Sequence, residues 1–270
     1  MEVRVVPNRL RPGVGRPPAP ENRRAFLPQH ARMLPAIEDA NRLGFLVYPP
    51  LHDHESVQLQ ARGNGVLAIT WFINGDRGLR SPAFVVQVRR SAGPGGLDDT
   101  QVTILDEHAG FDAATAVTLV AAVTSGINSP PGSVGLRGAH NFITPAGWDT
   151  VYTAVFNDPQ RPAVSTLTTR VETDWFPCET EFRVILEKGD ITSVIGSGPI
   201  GQVLFVPRED CLIAEATEVE RQRFAAAHQD SLVHSVSAAK TTRYGGVFSD
   251  YYREQQHVHR NGAGDGQPLR

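Results

Sequence analysis

Cysteine is scarce in this sequence: Cys178 and Cys211 are the only two among 270 residues. Two cysteines cannot build a disulfide framework or a four-cysteine zinc site. A chain of this length also has enough core to be stable without covalent staples, so both are expected as reduced thiols. Long apolar runs are missing as well, and none is long enough to span a bilayer. Residues 1–20 carry no signal-peptide hydrophobic region, because arginines and prolines interrupt them. Charge of one sign is not in excess: the formal net charge is −3. That balance supplies no general basic surface for nucleic acid or anionic membrane. The expectation is a soluble cytoplasmic protein with neither nucleic acid nor membrane as partner. A phosphate-binding loop, a serine-hydrolase elbow, an HExxH helix and paired CxxC motifs are absent too.

What is present is β-rich punctuation. The stretch from Gly138 to Arg208 alternates short apolar runs with turn residues, the pattern of an antiparallel sandwich or barrel. In Thr180–Lys188, Phe182, Val184 and Leu186 point one way while Glu181, Arg183 and Glu187 point the other, which predicts a strand wet on one face. Val151–Phe156 and Gln202–Val206 are apolar on both faces and suit central strands. Further strands are predicted at Glu2–Val6, Phe45–Tyr48, Val57–Ala61, Val66–Phe72, Ala83–Arg89 and Gln101–Leu105. Turn chemistry separates them in GNG, NGDRG, SAGPGG and Asn157-Asp158-Pro159. Ala113–Val123 mixes alanine with β-branched residues and lies between Gly110 and Gly126; it reads as a buried strand. Asn128–Gly135 reads as a loop.

The predicted fold is mainly β, an antiparallel β-sandwich or jelly-roll-like barrel, with a short N-terminal helix and C-terminal helices. Residues 1–34 are an N-terminal strand and a proline-rich arm, since Pro7–Pro20 is too rich in proline to fold alone. Residues 35–210 form the sandwich core, opened by a helix at Pro35–Arg42 with proline in its first turn. Residues 211–259 are a helical extension. There Thr217 and Glu220 have the spacing of a capping box, opening a helix through about Ala227, with helical pieces at Leu232–Lys240 and Asp250–Gln256. Residues 260–270 have the composition of a disordered tail.

The elements TPAGW (Thr144–Trp148), AVFNDP, VETDWFP (Val171–Pro177), LEKGD (Leu186–Asp190) and VLFVPR (Val203–Arg208) occur in an order that resembles a bacterial family catalogued only as a domain of unknown function. Its members carry similar PGW, VETDW and PVPR elements. The likeness extends weakly to Ala40–Pro50 upstream and Tyr251–Glu254 downstream. It implies a domain extent of roughly Pro35 to Glu254 and no particular activity.

Two constellations carry candidate chemistry. In His52-Asp53-His54-Glu55, an extended backbone would put His52 and His54 on one face, the way a cupin metal site begins. Gln58 stands where a cupin has its glutamate, and Gly65 where that motif expects glycine. Leu46 replaces the glycine expected before the first histidine, so the cupin likeness is partial. A metal would need a further ligand from His140 or His108, with Asp53 or Glu55 orienting the rings. The competing reading is a hydrated loop after Pro49-Pro50. The second constellation is Glu172 and Asp174, a carboxylate pair able to divide acid and base roles if their environments differ. Its alternative is a solvated strand face with Arg170 as counter-ion. Trp148 and Trp175 are candidate substrate-binding residues, or core. Gly196–Gly201 matches a dinucleotide GxGxxG by spacing alone. With a strand predicted after it, the segment reads as a hairpin turn.

Two functions are consistent with these residues. One is an enzyme of bacterial small-molecule or secondary metabolism, a cupin-like non-haem oxidoreductase using Fe(II) or another divalent metal. It would have His52, His54, Gln58 and His140 as ligands, Glu172 and Asp174 catalytic. The other is a non-catalytic ligand-binding or assembly protein, in which the proline arm and the C-terminal helices make subunit contacts. A small-molecule ligand and a homo-oligomer formed through the N-terminal arm are the expected partners.

Overall fold

The computed structural model describes residues 1–20, 34–62, 65–74, 80–90, 98–127, 133–158, 164–241 and 247–261. In chain order the elements are β1 (Arg4–Pro7), α1 (Pro35–Asn41), β2 (Phe45–Val47), β3 (Glu55–Arg62), β4 (Val66–Asn74), β5 (Arg80–Arg90) and β6 (Asp98–Ile104). Then follow α2 (Ala113–Val123), β7 (Thr124–Ser125), β8 (Ser133–Arg137), β9 (His140–Ile143), β10 (Trp148–Thr153) and β11 (Thr169–Val171). Strands β12 (Glu181–Ile185), β13 (Ile191–Ile195) and β14 (Gly201–Pro207) precede α3 (Glu218–Ser237), β15 (Ala239–Thr241), β16 (Val247–Ser249) and α4 (Tyr251–Asn261). The described residues divide into two compact units, one within 1–22 and 41–209, the other within 23–40 and 210–270. The predicted sandwich was to start at residue 35; α1 up to Ala40 instead clusters with the C-terminal unit.

The first unit is built from antiparallel sheets packed together, which among the described residues do not close into a barrel. The largest has the order β13-β3-β4-β5-β6. Its inner face follows from alternation: Val57 pairs with Trp71 and Trp71 with Phe84, while Leu59 pairs with Ile69 and Ile69 with Val86. All six are buried, and the Trp71 and Phe84 rings stack at 5.6 Å. A four-stranded sheet, β11-β10-β14-β2, and a three-stranded one, β12-β8-β7, complete the core. Tyr152 of β10 and Phe182 of β12 meet edge-to-face at 5.8 Å. Phe182 and Val184 are buried, as the alternation predicted.

Three local expectations are corrected. Ala113–Val123 is a helix rather than a strand. Asp112 caps it by accepting from the Thr115 N–H at 2.7 Å, and Ala116, Val120 and Val123 are buried at helical spacing. The cap supplies what composition left undecided. Ser133–Gly135, read as loop, belongs to β8 and pairs with β7 and β12. Gly196–Gly201 is not a hairpin: β13 pairs with β3, whereas β14 pairs with β10 and β2, so the turn crosses between sheets. Gly196 is needed there because a Cβ would fall 2.0 Å from the His52 carbonyl oxygen. The predicted turns at Gly63–Gly65, Asn74–Gly78 and Ser91–Gly96, the loop at 128–132, Pro159 and the tail from residue 262 lie wholly or largely outside the described residues.

The described part of the proline-rich arm lies across its own domain. β1 pairs with β9, Arg4 opposite Ile143 and Pro7 opposite His140. Asn8 is buried and donates to the carbonyls of Ala122 (3.2 Å) and Gly138 (3.0 Å). Arg11 lies over the Trp71 ring and Arg16 over that of Tyr48. These contacts tie residues 4–16 to their own domain, while β1 itself stays exposed.

In the second unit, Arg253 lies 3.4 Å from Glu38, and Gln256 donates to Asp39. The predicted capping box is present. Thr217 Oγ1 accepts from the Glu220 N–H, and Glu220 Oε2 accepts from the Thr217 N–H at 2.7 Å. The helix it opens runs on to Ser237, absorbing Leu232–Ser237 of the separate helical piece predicted at Leu232–Lys240, whose end instead enters strand β15. Among the described residues no helix is long and apolar enough to cross a membrane.

Candidate functional site

The register of β10 brings together three stretches that are remote in sequence. Trp148 pairs with Pro207 and Asp149 with Val206, while Val151 pairs with Arg170 on the other side. TPAGW, VETDW and VPR therefore meet at one end of one sheet, with Asp149 among them. Its side chain is 3% exposed. Oδ2 accepts from Arg170 Nε at 2.7 Å and Oδ1 from Arg208 Nε at 2.8 Å. Arg208 continues to Asp174 Oδ1 at 2.5 Å and lies 3.4 Å from Glu172 Oε2.

Backbone and hydroxyl groups lock the same cluster. Asp174 Oδ2 accepts from the Gly147 N–H at 2.9 Å, and the Arg208 N–H donates to the Gly147 carbonyl at 2.8 Å. Gly147 has φ +79° in the turn closed by the Trp148 N–H on the Pro145 carbonyl. That is the third position of a turn that requires a left-handed residue, which is why glycine stands there. Beneath it, Thr173 Oγ1 bonds Thr144 Oγ1 at 2.8 Å and Thr150 Oγ1 at 2.7 Å. No strand alternation governs Glu172 and Asp174 as predicted. β11 ends at Val171, and the N–H of Phe176 returns to the Glu172 carbonyl at 3.0 Å, forming a single helical turn. Arg170 is a counter-ion, but to Asp149; Arg208 serves the predicted pair.

The electrostatics are those of a structural ionic network. Burial alone would raise the Asp149 carboxyl, but hydrogen bonds from Arg208 and Arg170 outweigh it and hold the group below its ordinary range. Asp174 is held low by the Arg208 hydrogen bond and then by the Gly147 N–H. Arg208 is correspondingly raised, first by Asp174 and then by Asp149. A carboxyl held ionised by a guanidinium is a poor proton donor at neutral pH. Asp149 and Arg208 were not singled out from sequence. Asp149 lies two residues before the strand predicted at Val151–Phe156, and only the structure extends that strand back to Trp148 to include it.

The aromatic residues of the motifs are left outside this network. Trp148 is half-buried at the start of β10. Trp175 is 65% exposed and Phe176 49% exposed, their rings meeting at 5.7 Å and 67°. Glu172 Oε2 accepts from the Trp175 indole N–H at 2.5 Å, fixing the ring's attitude.

The histidine constellation is a turn rather than an extended strand. Glu55 Oε2 accepts from the His52 N–H at 2.8 Å, and the Glu55 N–H returns to the His52 carbonyl at 2.9 Å. His52 and His54 are exposed, with rings stacked at 5.4 Å. The two carboxylates expected to orient them are taken up by the arm instead. Arg11 binds Glu55 at 2.8 and 3.1 Å, and Arg16 binds Asp53 at 3.0 and 3.1 Å. Gln58 lies mid-strand in β3, opposite Thr70 and Ser193. His140 lies in β9, where burial lowers its pKa and its Nδ1 finds no hydrogen-bond partner among the described residues. His108 sits in the short 3-10 turn capped by Asp106, whose Oδ1 accepts from the His108 N–H. Among the described residues, no group of three or more His, Cys, Asp or Glu is placed to hold a metal ion.

No family model, curated protein or solved structure matches the chain.

Both cysteines are free thiols, Cys178 half-buried and Cys211 exposed. Burial raises the Cys178 thiol above its ordinary range, so the reactive thiolate is scarcer there. Titration with an aromatic disulfide should show one fast thiol, lost in Cys211→Ser, and one slow thiol, lost in Cys178→Ser. Equal rates for the two would contradict this environment.

Proposed function

We propose that this chain is a non-catalytic binding protein for a small, flat organic cation, which it receives on Trp175 and Phe176. The observation that carries this reading is the exposed ring pair on a turn tied down by Arg208, Asp174 and Glu172. An exposed tryptophan held by its own indole N–H loses little conformational freedom when a ligand stacks on it. Cations are attracted to indole faces. The surroundings favour that sign, because Asp149, Glu172 and Asp174 outnumber Arg170 and Arg208. Catalysis by Glu172 and Asp174 is disfavoured by the same bonds, which commit both carboxylates to the turn. The metal-oxygenase alternative gains nothing from the stacked His52–His54 pair.

Tryptophan fluorescence during titration with benzyltrimethylammonium, against benzyl alcohol as the neutral comparator, tests the proposal. Saturable quenching by the cation is expected, weaker by tenfold or more for the alcohol and lost in Trp175→Ala. Absence of saturation in the wild type, or saturation unchanged in Trp175→Ala, would overturn it.

A further inference from the structure

Helix α3 is well made locally and poorly covered. Its capping box is complete, and Arg221 and Gln222 both bond Glu218 in the first turn. Yet none of its 20 residues is buried. Val219, Leu232, Val233 and Val236 are 57%, 46%, 57% and 76% exposed. A helix of this length spans about 30 Å, and helices in proteins draw most of their stability from packing of an apolar face.

Apolar residues recur along α3 at heptad spacing, interrupted by two glutamines, while Phe224, 64% exposed, lies off that seam. Val219, Ala226 and Val233 recur at one seam position, and Gln222, Gln229 and Val236 at the other. Arg223 and Asp230 occupy one flank of the seam, Ala225 and Leu232 the other. The contacts with α4 lie on the opposite side. Ser231, Ser235 and Ala238 are the partly covered residues, and the His234 ring stacks on Tyr251 at 5.6 Å. The seam is thus the side of the helix that α4 leaves open.

We propose that α3 is a homodimer seam, two copies packing antiparallel about a two-fold axis through the helix midpoint between Ala227 and His228. In antiparallel pairing each residue of one seam position meets a residue of the other. With the axis at the midpoint, Val219 meets the partner's Val236, Gln222 the partner's Val233, and Ala226 the partner's Gln229. The same register sets Arg223 opposite the partner's Asp230, twice by symmetry, and Ala225 opposite the partner's Leu232. One axis position therefore satisfies full overlap of the helices, valine layers at both ends and two opposite-charge pairs. That charge complementarity is what identifies the occupant as a second copy of this chain. The glutamines and alanine at the centre weaken the seam but disfavour shifted registers.

Sedimentation equilibrium of the full chain tests this directly. The wild type should approach twice the 29.4 kDa monomer mass as concentration rises. Arg223→Asp and Asp230→Arg each place like charges opposite one another twice and should weaken the dimer about tenfold or more. The double variant carrying both reversals should recover it, because the pairs are restored with their signs exchanged. All these side chains are exposed, and unchanged circular dichroism will verify that each variant is folded. A wild type monomeric up to its solubility limit would overturn the proposal. So would a dimer indifferent to the single reversals, or one that the double reversal fails to rescue.

Discussion

Asp149→Ala should lose about 3 kcal/mol of stability, the order found when one member of a buried ion pair is removed. For a domain of this size that corresponds to a fall in Tm of roughly 6–12 °C. The reason is geometric. One carboxylate, 3% exposed, accepts from two guanidinium groups on β11 and at the end of β14. Without it Arg208 no longer has a fixed base from which to reach Asp174, and the turn carrying Trp175 loses its anchor. Asp149→Asn keeps the shape and one acceptor, so it should fall between wild type and alanine. The pH dependence follows in sign. Asp149 and Asp174 have folded pKa values below their unfolded ones. Their contribution is complete above the unfolded value near 3.9 and is lost as pH falls through the folded values. The stability gap between wild type and Asp149→Asn should therefore be constant near neutrality and close below about pH 4. Calorimetry from pH 7 to pH 3 measures it. A melting curve for Asp149→Ala that overlays the wild type would show that the cluster is not structural.

Arg11→Ala is expected to cost a comparable amount, about 3–5 kcal/mol, because it strands a buried carboxylate. Glu55 is 6% and Arg11 11% exposed at the side chain, and the guanidinium also covers the face of Trp71 and donates to the Pro50 carbonyl. In the variant the Glu55 carboxylate keeps the His52 N–H and loses both guanidinium bonds. The arm should loosen with it, and cleavage by a protease within residues 1–20 should accelerate. Glu55→Gln in the Arg11→Ala background removes the unpaired charge and should recover part of the loss. Such a double-mutant cycle isolates the pair. If the two single changes simply add, the ion pair contributes nothing and the arm is held by its other contacts, those of β1, Asn8 and Arg16 among them.

The strands were legible because alternation is a local property. Runs such as Val57–Ala61 and Thr180–Lys188 carry their own inner and outer face, and burial in the core rewards only one assignment. Thr217 and Glu220 announced α3 for the same kind of reason, since a cap is satisfied within four residues. Ala113–Val123 failed this test: alanine and valine fit a buried helix and a buried strand alike, and the deciding bond came from Asp112, just outside the run. His52 and His54 failed differently. Their spacing puts them on one face only if the backbone is extended, and Glu55 folds the chain back onto the His52 N–H.

By itself the sequence determined the mainly β class, the antiparallel pattern, the capped C-terminal helix, and the motifs TPAGW, VETDW and VPR as places of concentrated polar and aromatic residues. Only the tertiary structure decided that these motifs meet, because Asp149 and Arg208 are 59 residues apart and find each other through the register of β10 on β14. It also decided which charges are committed and which surfaces remain open. Whether a carboxylate is a reactive group or a tie depends on the donors around it. Those donors arrive from strands whose neighbours are chosen by the packing of the whole core, not by the residues beside them in the chain.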